Sequence, residues 1–557
     1  MPSPFATHEV FNQPPPLEDV NLFSSDTMLM EAVEREGGGD ASERLQAFGR
    51  LTGSAEALER GWLANEHPPR LATHDARGRR SDTVTYHPAY HELMRTSCGE
   101  GLHSSVWADL AEAGKPPRPG AHVRRAGVFY MAAQMEAGHC CPITMTNAAV
   151  PVLLLEPTLA KEWVPRILPF KYDPSFAPAA KKSAVTLGMG MTEKQGGTDV
   201  RAATTKAEPV GKRGSGAEYI VTGHKWFMSA PMSDAFLVLA QAAGGLTCFL
   251  MPRFLPDGSV NGLHFQRLKD KLGNRSNASS EVEFAGAHAW AIGEEGRGVA
   301  TIIEMVTHTR LDCALASAGL MRSALANAIH YAGHRTVFQK KLVEQPLMQQ
   351  VLADMALDVE AATALSFRLA RSFDRASDGR AAAWRRVMTP VTKYWVCKIA
   401  PALVAEAMEC LGGSGYVEDT PLARIYREVP VNSIWEGSGS VMALDVLRVL
   451  QREPEAAQAV MQELGAAAKD EGRLRFAHGR IEGLLHEPAL LDQRGRLLVE
   501  ALALLAAGTT LKAHAPAAVA DAFIASRFGG GGKQTYGQGL KRADTRAILA
   551  RSSPNRA

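Results

Sequence analysis

Apolar positions recur at helical spacing from about residue 20 to 168, as in 123–138, with Pro/Gly clusters such as KPPRPG at 115–120 marking the loops. The period then shortens. Short runs rich in Val, Phe, Leu and Tyr at 219–222, 235–240, 246–251, 263–268 and 281–284, separated by Gly and Pro turns, predict strands. After GEEGRGVA the helical period returns in long segments at 299–339, 342–376, 381–411 and 440–450, the pattern of a bundle. The pattern predicts an α+β multidomain protein: an N-terminal arm and helical domain (1–180), a β domain (181–295), a helical bundle (296–450) and a C-terminal helical and basic extension (451–557).

Composition supports several packed units. At 557 residues the chain exceeds one ordinary core, and 46% hydrophobic with 22% charged residues is globular. A net charge of +2 gives no global pull toward a polyanion, so any such partner needs a local patch. The seven cysteines are odd in number and lack metal-ligand spacing, which fits a reducing cytoplasm. His139, Cys140 and Cys141 invite a metal reading, but adjacent cysteines suit tetrahedral ligation poorly and we read them as core; no metal is expected. The N-terminus shows no basic segment leading into an apolar one, so export is not expected. The nearest approach to a membrane span, around 501–508, is too short, so no membrane insertion is expected.

The chemistry concentrates in ECLGGSGYVEDTPLARIYREVPVNSIWEGSGSVMAL at 409–444. Glu436 stands between Trp435 and the Gly437, Ser438, Gly439, Ser440 run, where backbone approaches a ligand closely and an indole limits water. Burial there lifts a carboxyl toward working pH and suits it to removing a weakly acidic C–H proton. The same residues also suit the N-terminus of the helix that follows. Both readings stand at this stage.

GMTEKQGGTDVRA at 190–202, through Gly190, Met191, Thr192, Glu193, Gly196, Gly197, Thr198 and Asp199, and the later segment, through Glu409, Gly412, Gly413, Gly415, Tyr416, Asp419, Arg424 and Glu428, together resemble the acyl-CoA dehydrogenase family. The resemblance extends through RLKDKLGNRSNASSEVEF at 267–284. It implies FAD, an acyl-CoA substrate and α,β-dehydrogenation with Glu436 as base. It implies flavin contacts from Met191, Thr192, Thr198, Phe227, Met228 and Ser229, with Trp226 alongside, and from Ile434, Trp435, Gly437, Ser438 and Ser440. Ser440 departs from the longer amide or acidic side chain usual there. Arg335, Phe338 and Gln345 look like the segment that reaches a neighbouring subunit's flavin. Arg310 matches an arginine at the base of the site, and is equally suited to an ion pair within the bundle.

The family's ordinary members end soon after the helix of the catalytic glutamate, whereas more than a hundred residues follow Leu450 here. With the N-terminal arm, this extension resembles a branch of the family tied to alkylation damage, which implies a cytoplasmic homotetramer and double-stranded DNA binding. From residue 451 onward 15 Lys/Arg face 11 Asp/Glu, and Arg527, Lys533, Lys541, Arg542 and Arg546 cluster near the end. The tail reads as a flexible phosphate-contacting arm or as a solvated tail. GGGGKQ is not a P-loop, because Lys533 lacks the following Ser/Thr.

Overall fold

The computed structural model describes residues 5–113, 118–375, 377–529, 535–540 and 543–554. The N-terminal unit holds α1 (Thr27–Glu36), α2 (Ser42–Thr52), α3 (Ala55–Glu66), a ribbon of β1 (Arg70–His74) and β2 (Arg80–Thr85), then α4 (Pro88–Gly99), α5 (Ala108–Ala113), α6 (Ala121–Met135), α7 (Cys140–Leu153) and α8 (Pro157–Ile167). Local signals set the ends: Asp26 accepts from Leu29 N at 3.1 Å to cap α1, and Gly37 leaves it at φ 99°.

Seven strands follow: β3 (Leu187–Gly190), β4 (Lys206–Pro209), β5 (Glu218–Ser229), β6 (Ala235–Ala242), β7 (Gly245–Pro252), β8 (Leu263–Leu268) and β9 (Ser279–Ile292). The sheet closes on itself, since β5 pairs with β9, β9 with β7, β7 with β6, and β4 bridges β6 back to β5. Its interior is filled by Tyr219, Val221, Met228, Phe236, Phe249 and Phe265, among others. Its outer face packs on α7, α8 and the start of the next helix.

That helix, α9 (Gly298–His334), is buried on nearly every side, as its near-continuous apolar sequence requires. The two-stranded hairpin β10 (Thr336–Val337) and β11 (Lys340–Lys341) leads to α10 (Pro346–Asp374), α11 (Gly379–Cys410), α12 (Pro421–Asn432) and α13 (Gly439–Arg452). The extension adds α14 (Pro454–Ala468), α15 (Gly472–Leu485), α16 (Pro488–His514), α17 (Ala517–Arg527) and α18 (Thr545–Ser552).

The expected order of helical, β, helical and helical units is the observed one. The sequence did not reveal β1 and β2, whose charged residues give no apolar alternation; they fold as a ribbon against β8, where Arg80 donates to Phe265 O at 2.9 Å. The apolar run at 501–508 lies within a longer segment, Leu490–His514, that is long and apolar enough to cross a membrane by length and composition. In the fold that helix is the core of the extension, with Leu498, Leu502, Leu505 and Leu511 buried against the bundle.

The expectation of a flexible basic arm is corrected. Arg527 is 5% exposed and pairs with Asp354 and Asp358 of α10, each at 2.7 Å. Tyr536 donates to Asp358 at 3.0 Å and Gly537 N to Asp354 at 2.9 Å, so the tail docks through the same two acids. Arg551 of α18 pairs with Glu360 of α10 and Glu31 of α1, and Arg322 of α9 donates to Ser552 O at 2.6 Å. Two buried carboxylates need the arginine's charge, so Arg527 is not free to meet a phosphate. Arg546 is exposed; Lys533, Lys541 and Arg542 lie outside the described residues.

Arg527→Met is expected to lower the stability of the extension by about 3–5 kcal/mol, because Asp354 and Asp358 lose the buried positive charge that the guanidinium sets between them. Urea unfolding followed by the α16 and α17 signals in hydrogen exchange measures it; a loss below about 0.5 kcal/mol would show that the two acids are not held by this arginine.

Candidate functional site

Glu436 lies in the turn between α12 and α13 with φ 57°, a left-handed conformation costing a non-glycine residue roughly 1–2 kcal/mol. Two buried cations hold it there. Lys393 of α11, 1% exposed, donates to Trp435 O at 2.7 Å and also to Gly437 O. Arg310 of α9 donates through Nε to Glu436 O at 3.0 Å and pairs through Nη1 with Asp445 of α13 at 2.7 Å. Three consecutive carbonyls thus face cations, and the side chain projects away from them.

The carboxylate accepts from the Thr309 hydroxyl of α9 at 2.8 Å. Burial pushes the Glu436 carboxyl up, while Thr309, Arg310 and Lys393 pull the other way and do not cancel it. The helix-capping alternative for Glu436 is not what forms: Ser438 is the N-cap of α13, and Glu436 spends its side chain on Thr309. Of the two readings of Arg310, the geometry supplies the ion pair, with the added grip on the Glu436 carbonyl; its side chain is 8% exposed and committed to both.

A second wall comes from β5. A bulge between Lys225 and Met228 interrupts its alternation. Phe227 is 48% exposed and Ser229 half-buried, while Met228 is 0% exposed with its side chain in the barrel interior. As a side-chain contact to a flavin Met228 is therefore corrected: it faces the barrel's own core. Trp226 is held by cations, with Lys269 Nζ 3.2 Å from its ring centroid.

The 191–198 loop is pinned to this strand. Trp226 N donates to Thr192 O at 2.8 Å, and the buried pair Glu193–Lys225, at 2.8 Å, anchors the loop from below. Burial opposes it, but bonds from Lys225, Thr205 and Thr204 hold Glu193 well below the usual carboxylate range. At Gly197 a Cβ would sit 2.4 Å from Thr192 Oγ1, so only glycine lets the chain close there. Thr198 is exposed, and Met191 packs on the same apolar cluster as Trp435, which brings this loop to the Glu436 turn. Ile434, Ser438 and Ser440 are exposed on that turn beside Gly437 at φ 106°.

Cys141 joins the two walls. Its thiol is pushed up to about 12 by burial, with the charge of Lys271 pulling it down and that of Glu436 pushing it up. Ser229 Oγ is 3.0 Å from Ser279 Oγ, which in turn receives Lys271 Nζ at 3.1 Å. Neighbouring His139 bonds Glu136 at 2.9 Å and Ser97 at 2.8 Å.

These residues suit a flavin. Phe227 and Ile434 offer apolar surface, Thr192 and Ser229 offer hydroxyls, and Gly197 offers its main-chain N–H, that of Gly196 being bonded to Glu193 O at 3.1 Å. Arg335, Phe338 and Gln345 lie elsewhere, around the β10–β11 hairpin. Phe338 and Gln339 form its tip with φ 50° and 67°, Gln345 braces it through Val337 O at 3.0 Å, and Phe338 is 89% exposed. Asn12 of the N-terminal arm clamps its base, accepting from Thr336 N at 2.7 Å while its carbonyl receives Arg335 at 2.7 Å.

Sequence reasoning missed Thr309, Lys393, Lys271 and Ser279. Only Lys393 carried a visible signal, a lone lysine in the apolar helical run TPVTKYWV.

Comparison with known proteins places this geometry. Residues 12–174 match the adaptive response protein AidB N-terminal domain, 188–287 the acyl-CoA dehydrogenase middle domain, and 296–451 the acyl-CoA dehydrogenase C-terminal domain. The chain is 48% identical to the putative acyl-CoA dehydrogenase AidB of Escherichia coli (strain K12), over 93% of this chain and 94% of that protein. It is 34% identical to acyl-CoA dehydrogenase family member 11 of Caenorhabditis elegans, over 82% and 74% of the two chains. The crystal structure of Caenorhabditis elegans ACDH-11 in complex with C11-CoA superposes with a TM-score of 0.82 at 28% identity, covering 99% of this chain and 93% of that one. The chain, with its arm, closed sheet, helical bundle and glutamate turn, belongs to the acyl-CoA dehydrogenase family of FAD-dependent oxidoreductases, in its AidB branch.

Proposed function

We propose that this protein dehydrogenates an acyl thioester between its α- and β-carbons, with Glu436 as the base. The observation that carries the reading is the Glu436 turn itself: a carboxyl raised by burial, set by a strained backbone and bonded by the Thr309 hydroxyl. FAD, when bound, supplies the acceptor for the hydride that leaves the β-carbon. Glu436 takes the α-proton, and the C–H electron pair becomes the new double bond. Charge that builds on the thioester oxygen needs a donor. The Glu436 N–H makes no hydrogen bond within the protein among the described residues, and it is fixed by the clamped carbonyls on either side.

The exposed Phe338 hairpin supports an assembly in which one protomer's hairpin reaches a neighbour's cofactor, the homotetramer the family resemblance implies. Seven free, buried cysteines are consistent with a reducing cytoplasm.

A second reading, double-stranded DNA binding, is supported by a surface other than the tail. On α15, Arg473, Phe476 and Arg480 are exposed and share one face by helical spacing, with Lys469 exposed just before it. These contacts would be to backbone phosphates and independent of sequence.

Glu436→Gln is expected to lower the rate of flavin bleaching by an acyl-CoA by at least about 10²-fold, the lower end of what a positioned base contributes; unchanged bleaching would remove Glu436 as base. The carboxyl's raised pKa means the folded state favours its neutral form. That contribution to stability is complete below the unfolded value and fades as pH rises through the folded one, so the same variant should melt higher than wild type at pH 8. Thr309→Val removes a bond to the ionised form and should move the acid limb of kcat/KM to higher pH; a limb that stays put would place another group in control. For DNA, Arg473→Ala with Arg480→Ala should weaken binding and flatten its salt dependence, read by anisotropy at 50 to 200 mM salt; identical curves for the pair and wild type would dismiss this face.

A further inference from the structure

A cavity of about 220 Å³, the room of roughly seven waters at ~30 Å³ each, lies between α4, the end of β2, and the loop after β5. Two of its wall residues are chain neighbours of residues in the site described above. Pro142, on its wall, follows Cys141, and Ala230, also on its wall, follows Ser229.

The lining is not that of a pocket for a plain alkyl chain. Tyr86 and Tyr90 stack at 4.3 Å, and Tyr172 stacks on His91 while its hydroxyl is 2.9 Å from His91 Nδ1. Ser233 is 2% exposed, and its Oγ has no hydrogen-bond partner. Tyr90 is 4% exposed, and neither its hydroxyl nor that of Tyr86 bonds to another described residue. Burial holds both phenols well above their ordinary pKa, so each remains a neutral donor. An alkyl tail would displace water from the two phenols and give none of the three hydroxyls a partner. Sites built around a hydroxyl contact reject the analogue that lacks it far more strongly than apolar pockets reject an extra methylene.

We propose that this cavity receives the distal end of the acyl group, and that Tyr86, Tyr90 and Ser233 select an acyl thioester whose tail carries a hydroxylated ring. A phenol has seven heavy atoms, which matches the space, and its flat faces suit the tyrosine and histidine walls. The proposal rests on the dehydrogenase reading above.

The test is anaerobic titration of the FAD-loaded full-length protein with butanoyl-CoA, 3-phenylpropanoyl-CoA and 3-(4-hydroxyphenyl)propanoyl-CoA, following perturbation of the flavin bands for Kd. The two aryl compounds differ by one hydroxyl. Wild type should bind the hydroxylated ring at least tenfold more tightly than the plain ring. In Tyr86→Phe, Tyr90→Phe, Ser233→Ala combined, the ratio of the two Kd values should fall to within about threefold. A ratio depends little on general damage to the pocket, and circular dichroism of the variant confirms the fold. Equal or weaker binding of the hydroxylated ring by wild type overturns the proposal, as does a preference that survives in the triple variant. If butanoyl-CoA and both aryl compounds leave the flavin bands untouched, the dehydrogenase reading fails and this one with it; a response to butanoyl-CoA alone overturns only the selectivity.

Discussion

Two cations buried among helices, Lys393 and Arg310, hold three successive carbonyls of one turn, and the rest of the site depends on that grip. The Glu436 backbone occupies a conformation that a non-glycine residue adopts at a cost, and neither flanking helix would hold it there alone. Lysine and arginine are costly to bury unless their donors are used. Here the cost is offset by carbonyl acceptors and by Asp445, and the outcome is a carboxylate whose direction is set by the bundle instead of by its own flexible turn. α9, α11 and α13 must all be in place before Glu436 points anywhere in particular.

The same economy governs the joints between units. Glu428 of α12 receives Asn274 through its main chain at 2.6 Å and its side chain at 2.7 Å, tying the helix before the Glu436 turn to the loop before β9. Arg125 of α6 meets Asp312 of α9 through two bonds of 2.7 Å each. Such buried pairs add less stability than their Coulomb energy suggests, because both partners lose water. Their geometry is exacting, and they fix the register of one helix against the next. The extension follows suit: the charges of Arg527 and Arg551 are neutralised by acids on α10, which turns an apparently loose tail into part of the bundle.

Much of the fold was legible in the sequence because it rests on periodicity. The strands at β5 to β9 and the helices α9, α10, α11 and α13 announce themselves by apolar spacing, and the boundaries differ by only a few residues at most ends. The β1–β2 ribbon was hidden because its charged residues sit at an edge and show no apolar alternation. The carboxylate of Glu436 stood out among glycines and hydroxyls, whereas Thr309 and Ser279 are ordinary residues whose roles come only from what lies opposite. Met228 and Arg527 misled for complementary reasons. A bulge in β5 turned one into the barrel, and two distant acids drew the other inside.

By itself the sequence determined the class of chemistry and the order of the units, because residue type and local spacing are written along the chain. Only the tertiary structure decided which way side chains face, which charges are neutralised and where a cavity with unpaired hydroxyls is left. The reason is range: a helical period is a matter of four residues, while the bonds from Lys393 to Trp435 O and from Arg527 to Asp358 join residues 42 and 169 positions apart.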